Sequence, residues 1–430
     1  MARMLRGGRD SLRAELSDLY SEQHDKVPSA KAAADAMLAL EGRARRGDRL
    51  TPSLRVARYG QAMVLDLADQ SGRVVIVDPD GWEVVDISPV LFQRTAFSGE
   101  LPTPQAGGSL DELGDLLNLS QFSLELFQGW LVASLIHDIP HPIAALTGEQ
   151  GAAKTWAARL LAGIIDPSPG QPSAPPRDLE GWATTAAGSW TVALDNVSVI
   201  PPWFSDALCR AVTGDATPRR RLYTDSDAVI LRFRRAIVLN GIDLGAMRGD
   251  LADRLLLIEL ERITKENRRE DAEVASTWAD AHPRILGALL DLTSQVLAVL
   301  PQIKLKQMPR MADFSKVLAA MDRVRGTHTF QTYDYMMTGI SEMVVEADQV
   351  SVALSEFLRV KRSWEGTASE LLSQLTTFHY ETERPPRSWP ATSRAIAASL
   401  TRLAPSLRVV GISIERDPKA RPRRWTLDMR

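Results

Sequence analysis

The sequence predicts an α/β protein with a mostly parallel central sheet flanked by helices. An α+β region precedes this core, and a helical region and a small helix-and-strand module follow it. Three observations carry the expectation. The apolar run Ile143-Ala144-Ala145-Leu146 enters a glycine- and lysine-bearing loop, Gly148 to Thr155, which opens an Ala/Leu-rich helical pattern from Trp156 to Ile164. From that point to about Leu260, strand-like and helical patterns alternate, as in a parallel α/β sheet. Before it, residues 54–100 read as short β-rich runs broken by turns.

Composition narrows the class. The chain has 430 residues, enough for roughly two to four domains, each with its own core. Hydrophobic residues make up 44% and charged residues 24%, the balance of a soluble globular protein. The sequence shows no apolar run near the roughly 20 residues a membrane span needs, and no export signal follows the basic start. The expectation is a cytoplasmic protein without a membrane partner. Cys209 is the only cysteine, which excludes a disulfide framework and a cysteine-based zinc site. The net charge of −3 hides an asymmetry: Arg359 to Arg430 holds 14 basic and 7 acidic residues. A basic end on an acidic body suggests contact with a polyanion.

Five regions follow from the pattern. Residues 1–100 combine helices at Ser11–Leu19 and Ala30–Arg45 with a small antiparallel sheet; Asp69-Gln70-Ser71-Gly72 and Asp78-Pro79-Asp80-Gly81 supply its turns. Residues 101–139 are a Pro/Gly-rich linker and a helical collar. Residues 140–265 form the α/β core, and 266–357 are dominated by helical periodicity. Residues 358–430 read as helix, helix and two short strands, a winged-helix arrangement. Thr367 or a neighbour caps its first helix, and Leu407 to Ile414 is its first strand.

The loop is where chemistry begins. A phosphate-binding loop works because backbone N–H groups converge on phosphate oxygens at a helix N-terminus, where the helix dipole favours negative charge. Gly148, Glu149, Gln150, Gly151, Ala152, Ala153, Lys154 and Thr155 form it here. Lys154 supplies charge to the β/γ-phosphates and Thr155 a hydroxyl for Mg²⁺. Ala153 replaces the usual last glycine. Trp190 to Leu194 is a buried-strand run ending at Asp195, a second Mg²⁺-shell candidate, followed by Asn196 where a water-polarising glutamate is usual. Arg235 to Leu239 ends at Asn240, which could place an amide near the γ-phosphate. Arg254, or secondarily Arg248, could reach a neighbouring subunit's γ-phosphate. Each has a plainer alternative: Asn240-Gly241 also suits a turn, and either arginine could pair with Asp250 or Asp253.

In this order and spacing the four elements resemble the AAA+ ATPases, most closely the superfamily 3 helicases of viruses, phages and plasmids. The resemblance covers residues 140–262. It implies a P-loop AAA+ core with a helical lid, ATP and Mg²⁺ as cofactors, and catalytic roles for Lys154, Asp195, Asn196, Asn240 and Arg254. It also implies a channel hairpin gripping single-stranded DNA. The interval between Asp195 and Asn240 carries Arg219, Arg220, Arg221, Tyr223, Arg232, Phe233 and Arg234, a mix of phosphate contacts and stacking surfaces that suits this role independently. The C-terminal module resembles that of phage and plasmid replication helicases. There Arg394, with Ser393 and Arg402 beside it, would lie near a recognition helix, and Arg421, Arg423 and Arg424, with Lys419, on the wing.

The leading expectation is an ATP-dependent helicase or translocase replicating a mobile element. It would work as a ring of copies of itself, in all expectation a hexamer, on single-stranded or forked DNA, with priming left to a separate primase or polymerase. The alternative is an AAA+ switch or loader that assembles on DNA or a partner without unwinding. His137 and His141 lack the neighbours for a metal site, Trp156 suits packing better than a nucleotide platform, and Arg310 suits a helix-start salt bridge.

Overall fold

The computed structural model describes residues 12–48, 50–220, 228–242, 249–306, 309–380, 384–417 and 420–429. Two helices open it, α1 (Leu12–His24) and α2 (Ala30–Ala44), the second capped by the Ser29 hydroxyl, which accepts the Ala32 N–H. An antiparallel meander follows: β1 (Val56–Tyr59), β2 (Ala62–Asp66), β3 (Val74–Asp78) and β4 (Gly81–Val85). The Asp69 carboxylate accepts the Gly72 and Arg73 N–H groups and so builds the β2–β3 turn.

The core contains α3 (Glu112–Leu116), α4 (Gln121–Ser134), β5 (Ile143–Thr147), α5 (Lys154–Gly163), α6 (Leu179–Gly188), β6 (Thr191–Leu194) and α7 (Pro202–Thr213). It continues through β7 (Ala216–Arg220), β8 (Ala228–Arg232), β9 (Ala236–Asn240), α8 (Gly249–Ala252) and β10 (Leu255–Glu259). Four strands pair in parallel in the order β10-β5-β9-β6. They are continuous apolar runs because helices cover both faces of a parallel sheet. All four point the same way, so Thr147, Asp195 and Asn240 emerge at one edge. Among the described residues β7 and β8 pair only with each other, in register from Ala216↔Arg232 to Arg220↔Ala228. This ribbon precedes β9 and therefore leaves from the opposite edge.

Four helices follow: α9 (Asp271–Val299), α10 (Ala312–Arg325), α11 (Thr329–Ala347) and α12 (Gln349–Lys361). The stretch Asp271–Gln302 is long and apolar enough to cross a membrane, which the sequence reading did not recognise; 61% of its apolar window is buried inside the protein. The chain ends with β11 (Ser363–Thr367), α13 (Ala368–Tyr380), α14 (Ser393–Val409), β12 (Ile412–Arg416) and β13 (Arg424–Met429). Thr367 and Glu370 form a capping box: the Thr367 hydroxyl accepts the Glu370 N–H at 3.3 Å, and the Glu370 carboxylate accepts the Thr367 N–H at 2.7 Å.

Two details differ from the sequence reading. The terminal sheet has three strands, β11-β13-β12, because Trp364 and Gly366 alternate inward along β11. Residues 407–409 belong to α14, where Leu403 and Leu407 are buried at helical spacing, and the strand starts at Ile412. This module has its own core, shared with α12 through Val350, Leu354 and Phe357.

The N-terminal sheet is not loosely attached. Val56, Met63, Leu65, Val75 and Val77 belong to the same apolar cluster as the parallel sheet. The Trp82 indole N–H donates to Asp291 of α9 at 2.8 Å.

Two buried histidines make a pH prediction. Burial pushes both His141 and His282 down to about 4, whereas an unfolded histidine titrates near 6.5. Between those values the unfolded chain binds more protons, so stability should fall as pH drops from about 6.5 to 4. Urea midpoints across that range test this; His282→Gln should flatten the slope.

Candidate functional site

The loop after β5 is shaped by three residues at positive φ: Gly148 at 135°, Gly151 at 88° and Ala153 at 56°. A Cβ on Gly148 would meet the Leu260 carbonyl oxygen at 2.4 Å, so glycine is required there. Ala153 is the N-cap of α5 in the left-handed region, φ 56° and ψ 33°. Its methyl group is tolerated but strained, since a left-handed L-residue costs about 1–2 kcal/mol. Ala153→Gly should therefore stabilise the fold by about 0.5–1 kcal/mol after the extra unfolded-state entropy of glycine is deducted. A shift of the urea midpoint checks this, and an unchanged or lowered midpoint contradicts it.

Lys154 begins α5, and its Nζ donates to the carbonyls of Gly148 and Glu149, both at 2.8 Å. The side chain thus arches over the loop. The first N–H groups of any helix lack intrahelical acceptors, so the α5 terminus can donate to an anion. Thr155 follows, with its Oγ1 3.5 Å from the Asn240 side-chain nitrogen. That same amide donates to Oδ1 of Asp195. Three residues far apart in sequence therefore meet at the carboxyl edge of the sheet. Asn240 is 3% exposed, and its Oδ1 is buried with no hydrogen-bond partner among the described residues. A buried amide oxygen without a donor suits a bound water or ligand group, and a threonine hydroxyl beside a carboxylate suits a hydrated Mg²⁺.

Asn196 is exposed and sits at φ 58°, donating its N–H to Asp195 Oδ1 at 2.9 Å. Asparagine tolerates that backbone better than glutamate does. Its residue type thus has a conformational reason as well as the chemical one read from the sequence.

Arg254 lies at the other edge. Its carbonyl accepts the Ile143 N–H, which begins β5, so about 13 Å of strand separates it from its own loop. It is 9% exposed, and its guanidinium donates to the Asp250 carboxylate at 2.8 Å. Arg310 bonds the same Asp250 and also Asp253, at 3.1 Å, so the helix-start pairing read from the sequence is present. Arg248 lies outside the described residues.

Of the basic residues, Arg219, Arg220 and Arg232 lie on the β7–β8 ribbon, while Arg221 and Tyr223 fall outside the described residues. Arg234 sits at the ribbon's base and donates to the Thr213 carbonyl at 3.3 Å. Arg394, Arg421 and Arg423 are exposed. Arg424 pairs with Glu365 at 3.0 Å and Arg402 with Asp348 at 2.9 Å; Lys419 is outside the described residues.

Sequence reasoning missed one site feature. Beside the loop lies an open cleft of about 800 Å³, lined by Leu117, Asn118, Gly151, Trp156, Arg268 and Arg269 among others. Trp156 packs on the core, as expected, but also lines this cleft. Its position two residues after Lys154, about 200° around the helix, was the available signal.

The family model described as actinomycete integrative conjugative element replication protein matches residues 110–342. The model described as the AICE RepA C-terminal domain matches residues 350–430. Among solved structures, the chain is similar to the apo C-terminal region of NrS-1 at 13% identity and TM-score 0.43, covering 100% of this chain and 93% of that one. A variant of Thermotoga maritima RuvB is similar at 15% identity and TM-score 0.26, covering 75% and 94%. A JCV helicase with a bound small molecule is similar at 13% identity and TM-score 0.24, covering 51% and 66%. No curated protein matches the chain.

Proposed function

Because the chain belongs to the replication-protein family of actinomycete integrative conjugative elements, we propose that it is an ATP-driven DNA helicase or translocase of such an element. The observation that carries the reading is the meeting of Thr155, Asp195 and Asn240 beside the lysine loop. Lys154 would exchange its two carbonyl acceptors for the β- and γ-phosphates of ATP. Thr155 and Asp195 would hold hydrated Mg²⁺, which draws charge from the phosphates as they separate. Asn240 keeps the Asp195 carboxylate in place and presents its unpaired oxygen toward the attacking water. Asn196, adjacent, would help to orient that water. Arg254 is too far from its own loop to serve it, which favours action on a neighbouring subunit and hence a ring, taken here as a hexamer.

In that ring Arg219, Arg220, Arg221, Tyr223 and Arg232 would contact single-stranded DNA, with Arg234 bracing the ribbon. The terminal module is read as a winged helix, with Arg394, Arg421, Arg423 and Arg424 on its DNA face. A second reading, an ATP-held switch that assembles on DNA without unwinding, is favoured by one observation: an exposed asparagine, not a glutamate, follows Asp195.

Strand displacement on a forked duplex separates the two. The helicase reading expects ATP- and Mg²⁺-dependent displacement by the wild type and none by Lys154→Ala. ATP retention and assembly on the fork, with the duplex left intact, would establish the switch instead.

A further inference from the structure

We infer that the α1–α2 hairpin is a pairing surface for a second copy of this chain, whose own hairpin lies face to face on it to complete a four-helix bundle. The hairpin stands without a core. Neither helix has a buried residue, and none of their side chains belongs to the apolar clusters of the described residues. Yet apolar side chains recur at helical spacing, Leu12, Leu16 and Leu19 on α1 and Ala33, Met37 and Leu40 on α2. They leave a groove of about 480 Å³, lined by Leu16, Tyr20, Ala32, Ala36, Met37 and Leu40 among others. Helices of 13 and 15 residues are each marginal in water, and a unit below roughly 40 residues usually needs a disulfide, a metal or a partner. The only cysteine is buried in α7, and no metal-holding cluster exists among the described residues. A partner is what is left.

Charge makes that partner a second copy. α1 carries Glu15, Asp18 and Glu22 against the single Arg13, whereas Arg43, Arg45 and Arg46 leave the end of α2 basic. A two-fold pairing sets α1 of one copy against α2 of the other, so acidic helix meets basic end twice. Arg43 lines the groove and makes no ion pair among the described residues, which leaves it to the partner's carboxylates. The small side chains of Ala32, Ala36 and Ala39 along the groove let a second helix come close. Size sets the strength. A hairpin face is roughly 20 Å long and, with axes about 10 Å apart, roughly 20 Å across. A pair therefore covers on the order of 800 Å² in all, the scale of a weak, reversible contact. It is separate from any ring around the phosphate loop, because no hairpin residue belongs to that loop, the β7–β8 ribbon or α8.

Sedimentation velocity of the full chain, without nucleotide and across micromolar concentrations, tests this. The wild type should pass from one chain to two. Ala36→Glu puts a charge on an exposed groove position while keeping a good helix former. It should weaken pairing about tenfold or more and leave the fold intact. A second readout is geometric. Cys209 is buried, so Ala36→Cys offers one reactive thiol per chain, which beside a two-fold axis meets its own counterpart. A short thiol-to-thiol crosslinker should join Ala36→Cys in pairs and spare Ala34→Cys, which is exposed but does not line the groove. A single chain at every concentration would overturn the inference and leave the groove to another protein. Association that Ala36→Glu leaves intact would overturn it too. So would association without preferential linking of Ala36→Cys, the mark of a head-to-tail contact.

Discussion

Asp195→Asn is expected to lower ATP turnover on the order of 10²–10³-fold, with the fold intact. That scale follows from removing one preorganised electrostatic partner in other enzymes. The geometry gives the reason. Oδ1 of Asp195 accepts both the Asn240 amide and the Asn196 backbone N–H, the latter at 2.9 Å. Those two donors fix the carboxylate and leave its second oxygen, unpartnered among the described residues, where the proposed Mg²⁺ shell would take it. Asparagine removes the negative charge. It also places either its amide nitrogen against two donors or its only oxygen away from the metal. Asp195 is half-buried on a loop, so the change should barely move the melting temperature. Turnover measured against Mg²⁺ concentration is the readout, with Asn240→Ala as companion: the metal optimum should shift in the first variant and persist in the second. Wild-type turnover by Asp195→Asn would remove it from the metal site.

How much of this was readable in advance depended on whether the determinant was local. The loop, α5, and the apolar runs of β5, β6, β9 and β10 were legible because a buried parallel strand is nearly all apolar and a helix repeats every 3.6 residues. The meeting of Thr155 with Asp195 and Asn240 was legible only through their order along the chain. Strand order, which makes β9 the neighbour of β5, is a tertiary fact. The left-handed backbone at Ala153 and Asn196 was not read, because an alanine disfavours a positive φ and an asparagine, though it tolerates one, is found far more often without it. β11 was missed since five residues ending in a helix cap give too short an alternation to separate from a loop. The cleft was missed because its walls come from segments as distant as Leu116 and Arg268.

The least legible feature is also the one whose loss should cost the fold most. Arg55 is 1% exposed, and its guanidinium spends three donors in three directions: to Asp166 Oδ1 at 2.8 Å, to the Asp66 carbonyl at 2.8 Å and to the Gly99 carbonyl at 2.7 Å. The other Asp166 oxygen accepts the N–H groups of Trp190 and Thr191, each at 2.9 Å. One buried ion pair thus ties β1 of the N-terminal sheet to the start of β6, the strand that delivers Asp195. Arg55→Met is expected to destabilise the protein by about 3–5 kcal/mol, since it strands a buried carboxylate and two carbonyls. Arg55→Lys should recover little, because one ammonium cannot span three acceptors held in a planar fork. The pair Arg55→Met with Asp166→Asn should recover part of the loss by removing the uncompensated charge. Denaturant unfolding of the double variant distinguishes this from lost packing alone, in which case the second substitution would add to the damage. Below the unfolding transition, Arg55→Met should also lose ATP turnover more than ATP affinity. Slack at the root of β6 displaces Asp195, whereas the loop after β5 keeps its own hydrogen bonds.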